Sequence, residues 1–294
     1  MADDLLKPGW RSARRRVGDL ELHVVEAGPE DGPPVVLLHG FPEFWWAWRH
    51  LLRPLADAGY RAIAPDMRGY GLSDAPTGVA AYRTDLLADD VAGLADALGL
   101  ERFSLVGHDW GGIVAWAVAS RHADRLDRLV IMDAPHADVW GRFAASHPTQ
   151  ALRSAYVGWF QLPMLPELSL GAFGHAGLKA TLRATARPGV FTPDALRRYA
   201  EAWARPGRLT AMLNYYRALR LPGSAKLGRI ATPTLILWGG RDGFLDDRLA
   251  AASAAMCDDA RTVVLEDATH WLHLEEPARV AEEIVGFLSA AERS

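Results

Sequence analysis

Phe103-Ser104-Leu105-Val106-Gly107-His108-Asp109-Trp110-Gly111-Gly112 is an apolar run that breaks at a glycine, presents one carboxylate, and resumes at two more glycines in a helical pattern. This is the layout of a nucleophile elbow, a strand-to-helix turn with one reactive side chain at its tip, carrying Asp109 where the commonest form carries Ser. Glycine flanks the tip because the nucleophile's backbone is held in a strained conformation, and a side chain at Gly107 or Gly111 would collide with the turn. The residue at the tip decides the chemistry. A hydroxyl must lose its proton before it attacks, whereas an Asp, with a reference pKa of about 3.9, is already anionic at neutral pH. Such a group suits attack on saturated carbon and leaves a nearby His free to activate water for a second step.

Working outward, a hydrolase built around this turn needs an acid and then a His, in that chain order, each where a strand ends. Leu235-Ile236-Leu237-Trp238-Gly239-Gly240-Arg241-Asp242 puts Asp242 just past an apolar run, and Val263-Val264-Leu265-Glu266-Asp267-Ala268-Thr269-His270 does the same for His270. Alone, either would read as a loop residue serving local hydrogen bonds. Ordered behind the elbow, they read as a triad with Asp109. Asp133, after the run Leu129 to Met132, is a rival for the acid, placed behind Asp242. His273 stands three residues beyond His270 and could pair with it on a metal, but no further ligand cluster is legible and a packing role is preferred. Leu37-Leu38-His39-Gly40-Phe41-Pro42-Glu43 supplies a second loop beside the elbow, so the amides of Phe41 and Trp110 are expected to form an oxyanion hole. His39 and His108 read as buried hydrogen-bonding groups rather than catalysts.

The rest of the chain has an α/β rhythm, in which short apolar runs alternate with helical stretches as a mostly parallel sheet flanked by helices requires. Strands are expected at Leu20 to Val25, Pro34 to Leu38, Arg61 to Ala64, Phe103 to Val106 and Leu129 to Met132, with helices at Leu86 to Leu98 and from Gly112 to about Arg121. From about Ala137 to Pro222 the sequence turns helical and aromatic, punctuated by Pro148, Pro163, Pro166, Pro188, Pro193 and Pro206. This predicts an inserted helical cap over residues 137–222, dividing a core of residues 1–136 and 223–294. The rhythm returns with a strand at Thr234 to Trp238, a helix near Asp247 to Met256, a strand at Thr262 to Leu265 and an amphipathic helix from Pro277 to Leu288.

At 294 residues, half of them apolar, the chain can bury one sizeable core. A net charge of −4 gives no electrostatic reason to expect nucleic acid or an anionic membrane as partner. Arg11, Arg14, Arg15 and Arg16 form the one basic run, read as a solvated face on an N-terminal arm. Acidic residues at Asp3 and Asp4 stand where a secretory signal would be positive, and no apolar run approaches the roughly 18 residues of a membrane span. Cys257 is the only cysteine, which excludes an internal disulfide and fits a cytoplasmic location. No phosphate-binding glycine loop is present, so no nucleotide cofactor is implied.

Taken together, His39-Gly40-Phe41-Pro42-Glu43, Arg68-Gly69-Tyr70-Gly71-Leu72-Ser73-Asp74, the elbow, Asp242 and His270 resemble the epoxide hydrolases of the α/β-hydrolase fold, over nearly the whole chain. The resemblance implies that fold with an inserted cap, a small-molecule epoxide and water as reactants, no cofactor, and a hydroxyalkyl ester on Asp109 as intermediate. Haloalkane dehalogenases share these core motifs, so the cap must discriminate. Asn214-Tyr215-Tyr216-Arg217 is similar to the family's Asn-x-Tyr-Arg, whose Tyr hydrogen-bonds the epoxide oxygen. Helix phase agrees: Leu209, Met212, Leu213, Tyr216 and Leu219 fall on one stripe expected to face the core, which aims Tyr216 at the cleft and Tyr215 to its side. Family members add a second Tyr just before a Phe-Gln pair. Here Trp159 precedes Phe160-Gln161, and Tyr156 lies three residues earlier on roughly the same helix face, so both stand as substrate-binding candidates.

Two other functions fit parts of the pattern. A dehalogenase would cradle halide with an Asn after His-Gly or with a cap Trp beside the elbow Trp; Phe41 disfavours the first, while Trp159 leaves the second open. A non-catalytic binding protein of the same fold is disfavoured by the intact set of Asp109, Asp242 and His270.

Overall fold

The computed structural model describes residues 3–221 and 226–290, and among them eight strands form one sheet. They are β1 (Arg11–Val17), β2 (Leu20–Ala27), β3 (Pro34–Leu38), β4 (Arg61–Pro65), β5 (Phe103–His108), β6 (Leu126–Met132), β7 (Thr234–Gly239) and β8 (Ala260–Leu265). Their order is β1-β2-β4-β3-β5-β6-β7-β8. The pairs β1/β2 and β2/β4 are antiparallel, and every later pair is parallel. All residues of β5 and β7 are buried, which explains their nearly unbroken apolar sequences: helices cover both faces of the parallel part.

Helices α1 (Leu52–Asp57), α2 (Thr84–Ala97) and α3 (Trp110–Arg121) belong to the first half, with α3 packed on β5 and β6. Among the described residues, six helical elements lie between β6 and β7: α4 (Ala137–Ser146), α5 (Pro148–Arg153), α6 (Ala155–Trp159), α7 (Leu165–Thr185, kinked where the backbone is non-helical at Ala172, Phe173, Gly174 and His175), α8 (Pro193–Trp203) and α9 (Arg208–Ala218). The prolines that punctuate this segment open several of them, since a helix's first turn has no use for the missing N–H. At α8 the Thr192 hydroxyl also accepts the Ala195 N–H at 3.2 Å, closing the cap. Among the described residues, α10 (Arg248–Ala254) lies between β7 and β8, and α11 (Leu272–Glu275) and α12 (Pro277–Ser289) follow β8.

Hydrogen bonds tie the inserted helices to the loops that leave the sheet. Trp203 Nε1 donates to the Pro42 carbonyl at 2.6 Å, Tyr215 Oη to that of Arg68 at 2.7 Å, and Gln150 Nε2 to that of Phe244 at 3.0 Å. The insertion therefore sits over the carboxyl ends of the parallel strands, where open α/β sheets place ligands.

The arginine run keeps the expected solvated face and forms β1, paired residue for residue with β2, with side chains that meet Glu21 and Glu26 across the strand pair. Leu219, the C-cap just past the end of α9, is 42% exposed yet lines the same cleft as Tyr216, so the stripe faces the core as expected. The expected division at 222/223 lies outside the described residues. None of the described helices is long and apolar enough to cross a membrane.

Candidate active site

At the end of β5 the backbone turns sharply through Asp109, which holds φ 50° and ψ −119°, a region that costs an L residue about 1–3 kcal/mol. The turn demands close backbone packing. A Cβ on Gly107 would lie 2.4 Å from the Gly111 carbonyl oxygen, and one on Gly111 only 2.0 Å from that of Leu38. The result is a carboxylate raised above the sheet. Its Oδ1 accepts the Phe41 N–H at 2.7 Å. Trp110 is the first residue of α3, so its N–H has no intrahelical acceptor.

His270 reaches this group from the loop after β8. Its Nε2 stands 3.5 Å from Asp109 Oδ2, while its Nδ1 is 2.7 Å from Asp242 Oδ2. Asp242 is itself fixed, because its Oδ1 accepts the N–H groups of Phe244 and Leu245 at 2.6 and 3.0 Å. Asp133 takes a different role: its Oδ1 accepts the Gly239 N–H at 2.8 Å, and Oδ2 has no partner. The structure thus gives His270 to Asp242 directly.

Charge follows from this arrangement. Burial opposes a proton on His270, yet the Asp242 charge and the hydrogen bond to Asp109 raise its pKa well above an ordinary imidazole's. Burial also opposes ionisation of Asp109, but the His270 hydrogen bond and charge, with His108 and the Phe41 amide, bring its pKa below the usual value. Asp133 goes the other way. Burial and the neighbouring Asp242 charge raise it well above a normal carboxyl.

Tyr216 projects from α9 between the rings of Trp110 and Phe41, edge-on at 5.0 and 5.3 Å. Tyr156 of α6 meets it at 5.9 Å, and Phe160 at 4.9 Å. Burial, followed by the charge of Asp109 for Tyr156 and by Tyr156 and then Asp109 for Tyr216, raises both phenol pKa values, so both remain donors. Tyr215 points aside, to the Arg68 carbonyl. Trp159 lies at the rim, 37% exposed and against Phe160. Asp109, Tyr156, Tyr216, Phe244 and His270 share one cleft, which extends as two lobes of about 190 and 240 Å³.

Sequence reasoning missed three parts. Phe244 packs on the His270 ring at 5.1 Å; its only trace was its place two residues after Asp242. Leu170, Leu178 and Leu182 of α7 wall one lobe, and helical spacing alone did not say what they face. His273, Glu43 and His108 form a buried cluster, with His273 Nε2 and His108 Nδ1 each 3.3 Å from Glu43 Oε2. His108 Nε2 donates to the His270 carbonyl at 2.8 Å, which joins this cluster to the backbone of the site. His39 accepts the Met67 N–H at 3.1 Å through Nε2 and stays clear of the cleft.

An alpha/beta hydrolase fold family model matches residues 33–277. YfhM of Bacillus subtilis, an AB hydrolase superfamily protein, is 44% identical over 270 residues, covering 92% of this chain and 94% of its own. Epoxide hydrolase 4 of Mus musculus is 36% identical over 280 residues, covering 93% of this chain and 78% of its own. Among solved structures, an epoxide hydrolase from metagenomes of hot environments superposes with a TM-score of 0.85 at 34% identity, covering 95% of this chain and 98% of its own. An eight-stranded sheet with an elbow at its centre and matches of this extent have one meaning: the chain belongs to the α/β-hydrolase fold family, in company with the epoxide hydrolases.

Proposed function

We propose that this protein hydrolyses an epoxide to a vicinal diol through a hydroxyalkyl ester on Asp109, with residues 137–222 acting as a cap on a core of residues 1–136 and 223–294. One observation carries the reading. An ionised carboxylate and two protonated phenols, Tyr216 and Tyr156, line the same apolar cleft, so nucleophile and acid face one bound ring. Relatives that carry the name epoxide hydrolase over most of their length support it.

In the first step Asp109 Oδ2, the oxygen not engaged by the Phe41 amide, attacks a ring carbon. The carbon–oxygen bond of the ring breaks, its electron pair goes to the ring oxygen, and that oxygen takes the proton of Tyr216 with Tyr156 as second donor. Forming the ester removes the Asp109 charge, which is one of the two anions that hold the proton on His270. His270 then gives up that proton, which passes through water to the Tyr216 phenolate left by ring opening, and Asp242 keeps the ring oriented. In the second step His270 accepts a proton from water, whose oxygen attacks Cγ of the ester. The amides of Phe41 and Trp110 hold the oxyanion, the bond from Cγ to the alkyl oxygen breaks, that oxygen takes the proton of the hydroxyl added to Cγ, and the diol leaves with the Asp109 carboxylate restored beside protonated His270. The chain's own groups supply nucleophile, acid and base.

Halide as leaving group fits less well. The position beside the Trp110 ring, where a halide cradle would set a second indole, is held by Tyr216, and Trp159 meets Phe160 instead. A single turnover in ¹⁸O-water tests the pathway. The first diol should carry no label, because its new oxygen comes from Asp109; a labelled first diol would mean direct attack by water.

A further inference from the structure

The whole-chain charge of −4 averages two unlike parts. Between residues 137 and 222 the chain carries eleven Arg and Lys against four Asp and Glu, so the inserted helices are strongly basic and the rest of the chain is strongly acidic. Apolar exposure is divided the same way. Among the described residues, every exposed large apolar side chain except Val264 lies between Leu152 and Leu219. Trp159, Leu162, Met164, Leu165, Leu168 and Phe173 follow one another from the end of α6 to the kink of α7, with Met164 70% and Phe173 95% exposed. Leu165 and Leu168 are three apart on the outer side of α7, while Leu170 of the same helix turns into the cleft.

Basic side chains flank this apolar stretch. Arg217 and Arg220 border a hollow with Met164 and Leu168. Arg153 and Arg220 directly follow Leu152 and Leu219 and are exposed like them. Lys179 Nζ lies beside Gly174, the neighbour of Phe173, and Arg183 stands one turn further along α7. Little acid offsets them: Glu167 is the one carboxylate side chain between residues 139 and 193, and Arg217 holds it at 2.6 Å. The basic run on β1 differs, because Glu21 and Glu26 face it.

We propose that this face of the inserted helices docks on an anionic phospholipid surface, with Trp159, Leu165, Leu168 and Phe173 entering the headgroup layer and the flanking Arg and Lys meeting lipid phosphates. Apolar side chains rimmed by cations match such a surface on both counts. Apolar area drives insertion at the boundary of the acyl chains, and each cation brought near an anionic leaflet strengthens binding roughly fivefold. A second copy of the chain fits the face less well, because a two-fold contact would set one basic patch against its twin. Trp159 belongs both to this face and to the rim of the cleft, so the docked cleft opens toward the lipid, where apolar molecules dissolve. No reacting group takes part in the contact, and the docking stands apart from the epoxide reading.

The test is co-sedimentation of the full-length protein with vesicles of phosphatidylcholine alone and of equal parts phosphatidylcholine and phosphatidylglycerol. Binding to the mixed vesicles should be tighter by on the order of tenfold or more, and it should weaken as salt is raised. Leu165→Ser with Phe173→Ser removes apolar insertion, and Lys179→Glu with Arg183→Glu reverses charge. Each pair should weaken binding to the mixed vesicles by on the order of tenfold or more, while Arg14→Glu on β1 should leave it unchanged. Circular dichroism and thermal melting check that the variants fold; where the Ser pair does not, Phe173→Ser alone takes its place, at a side chain almost wholly in solvent. No binding to either vesicle, equal binding to both, unchanged binding in both pairs, or an equal loss in Arg14→Glu would overturn the proposal. A protein that dimerises without vesicles and comes apart in the Ser variant would give the face to a second copy and overturn it as well.

Discussion

His270 Nε2 stands 3.5 Å from Asp109 Oδ2, while Nδ1 of the same ring is 2.7 Å from Asp242 Oδ2. The short contact orients the imidazole, and the long one leaves it beside the nucleophile without a tight hydrogen bond. Such spacing suits a base that acts on water after Asp109 has been esterified. Replacing Asp242 by Asn should keep the fold, disfavour the required tautomer and lower turnover by about 10⁴-fold. Asp133→Asn should be milder, because that carboxyl accepts the Gly239 amide while His270 Nδ1 is taken by Asp242. Steady-state kinetics of the two variants rank them, and the opposite ranking would transfer the acid role to Asp133.

Tyr216→Phe keeps the ring between Trp110 and Phe41 and deletes the donor alone. Ester formation from an epoxide should slow by roughly 10²–10⁴-fold, the usual contribution of a general acid. Tyr156→Phe should slow the same step and no other, since its phenol faces the same cleft. Single-turnover ester formation measures both, and an unchanged rate in Tyr216→Phe would take that hydroxyl out of the reaction.

Much of this site could be read directly from the chain. The elbow announces itself because a strained turn tolerates only glycine at Gly107 and Gly111, and Asp242 and His270 follow apolar runs that the buried parallel strands require. Strand β1 was hidden, because a solvated edge strand rich in Arg has none of the apolar alternation that marks a half-buried strand. The start of β8 was missed for the same reason: Ala260 and Arg261, which precede the expected Thr262, are exposed. The cluster of Glu43, His108 and His273 was illegible for another reason. Its members lie far apart in the chain, and only the strand order that places β3 beside β5, with α11 packed against the segment after β3, brings them together.

The two chemical steps should depend differently on pH. Ring opening needs ionised Asp109 and protonated phenols, and the lowered pKa of the first and raised pKa values of the second keep it level through neutrality. Its rate should fall only when acid passes the depressed Asp109 value. Ester hydrolysis needs neutral His270; in the ester the Asp109 charge is gone but the Asp242 charge still favours the proton on the ring, so the rate should climb as pH rises and then level off. Rapid-mixing measurements of each step across pH 5 to 9 separate them, and an ester hydrolysis rate that falls with rising pH would contradict the assignment of His270 as base.

His273 gives a stability prediction. Burial is the chief reason its pKa drops to about 4, although Glu43 pulls upward. An unfolded chain protonates this His near its reference value of about 6.5, while the folded protein resists until about pH 4. Stability should therefore fall as pH drops through that window, by up to about 3 kcal/mol from this group. His273→Gln should flatten the slope between pH 6.5 and 4 in urea unfolding experiments. An identical slope would mean that His273 is not kept neutral by burial.

The most direct measurement is the mass of the His270→Ala protein after mixing with styrene oxide. Without the base, the second step stalls, so the protein should gain the mass of one substrate molecule, carried by the peptide that contains Asp109. An adduct mapped to another peptide, or no adduct from any epoxide that the wild-type protein consumes, would contradict Asp109 as the nucleophile.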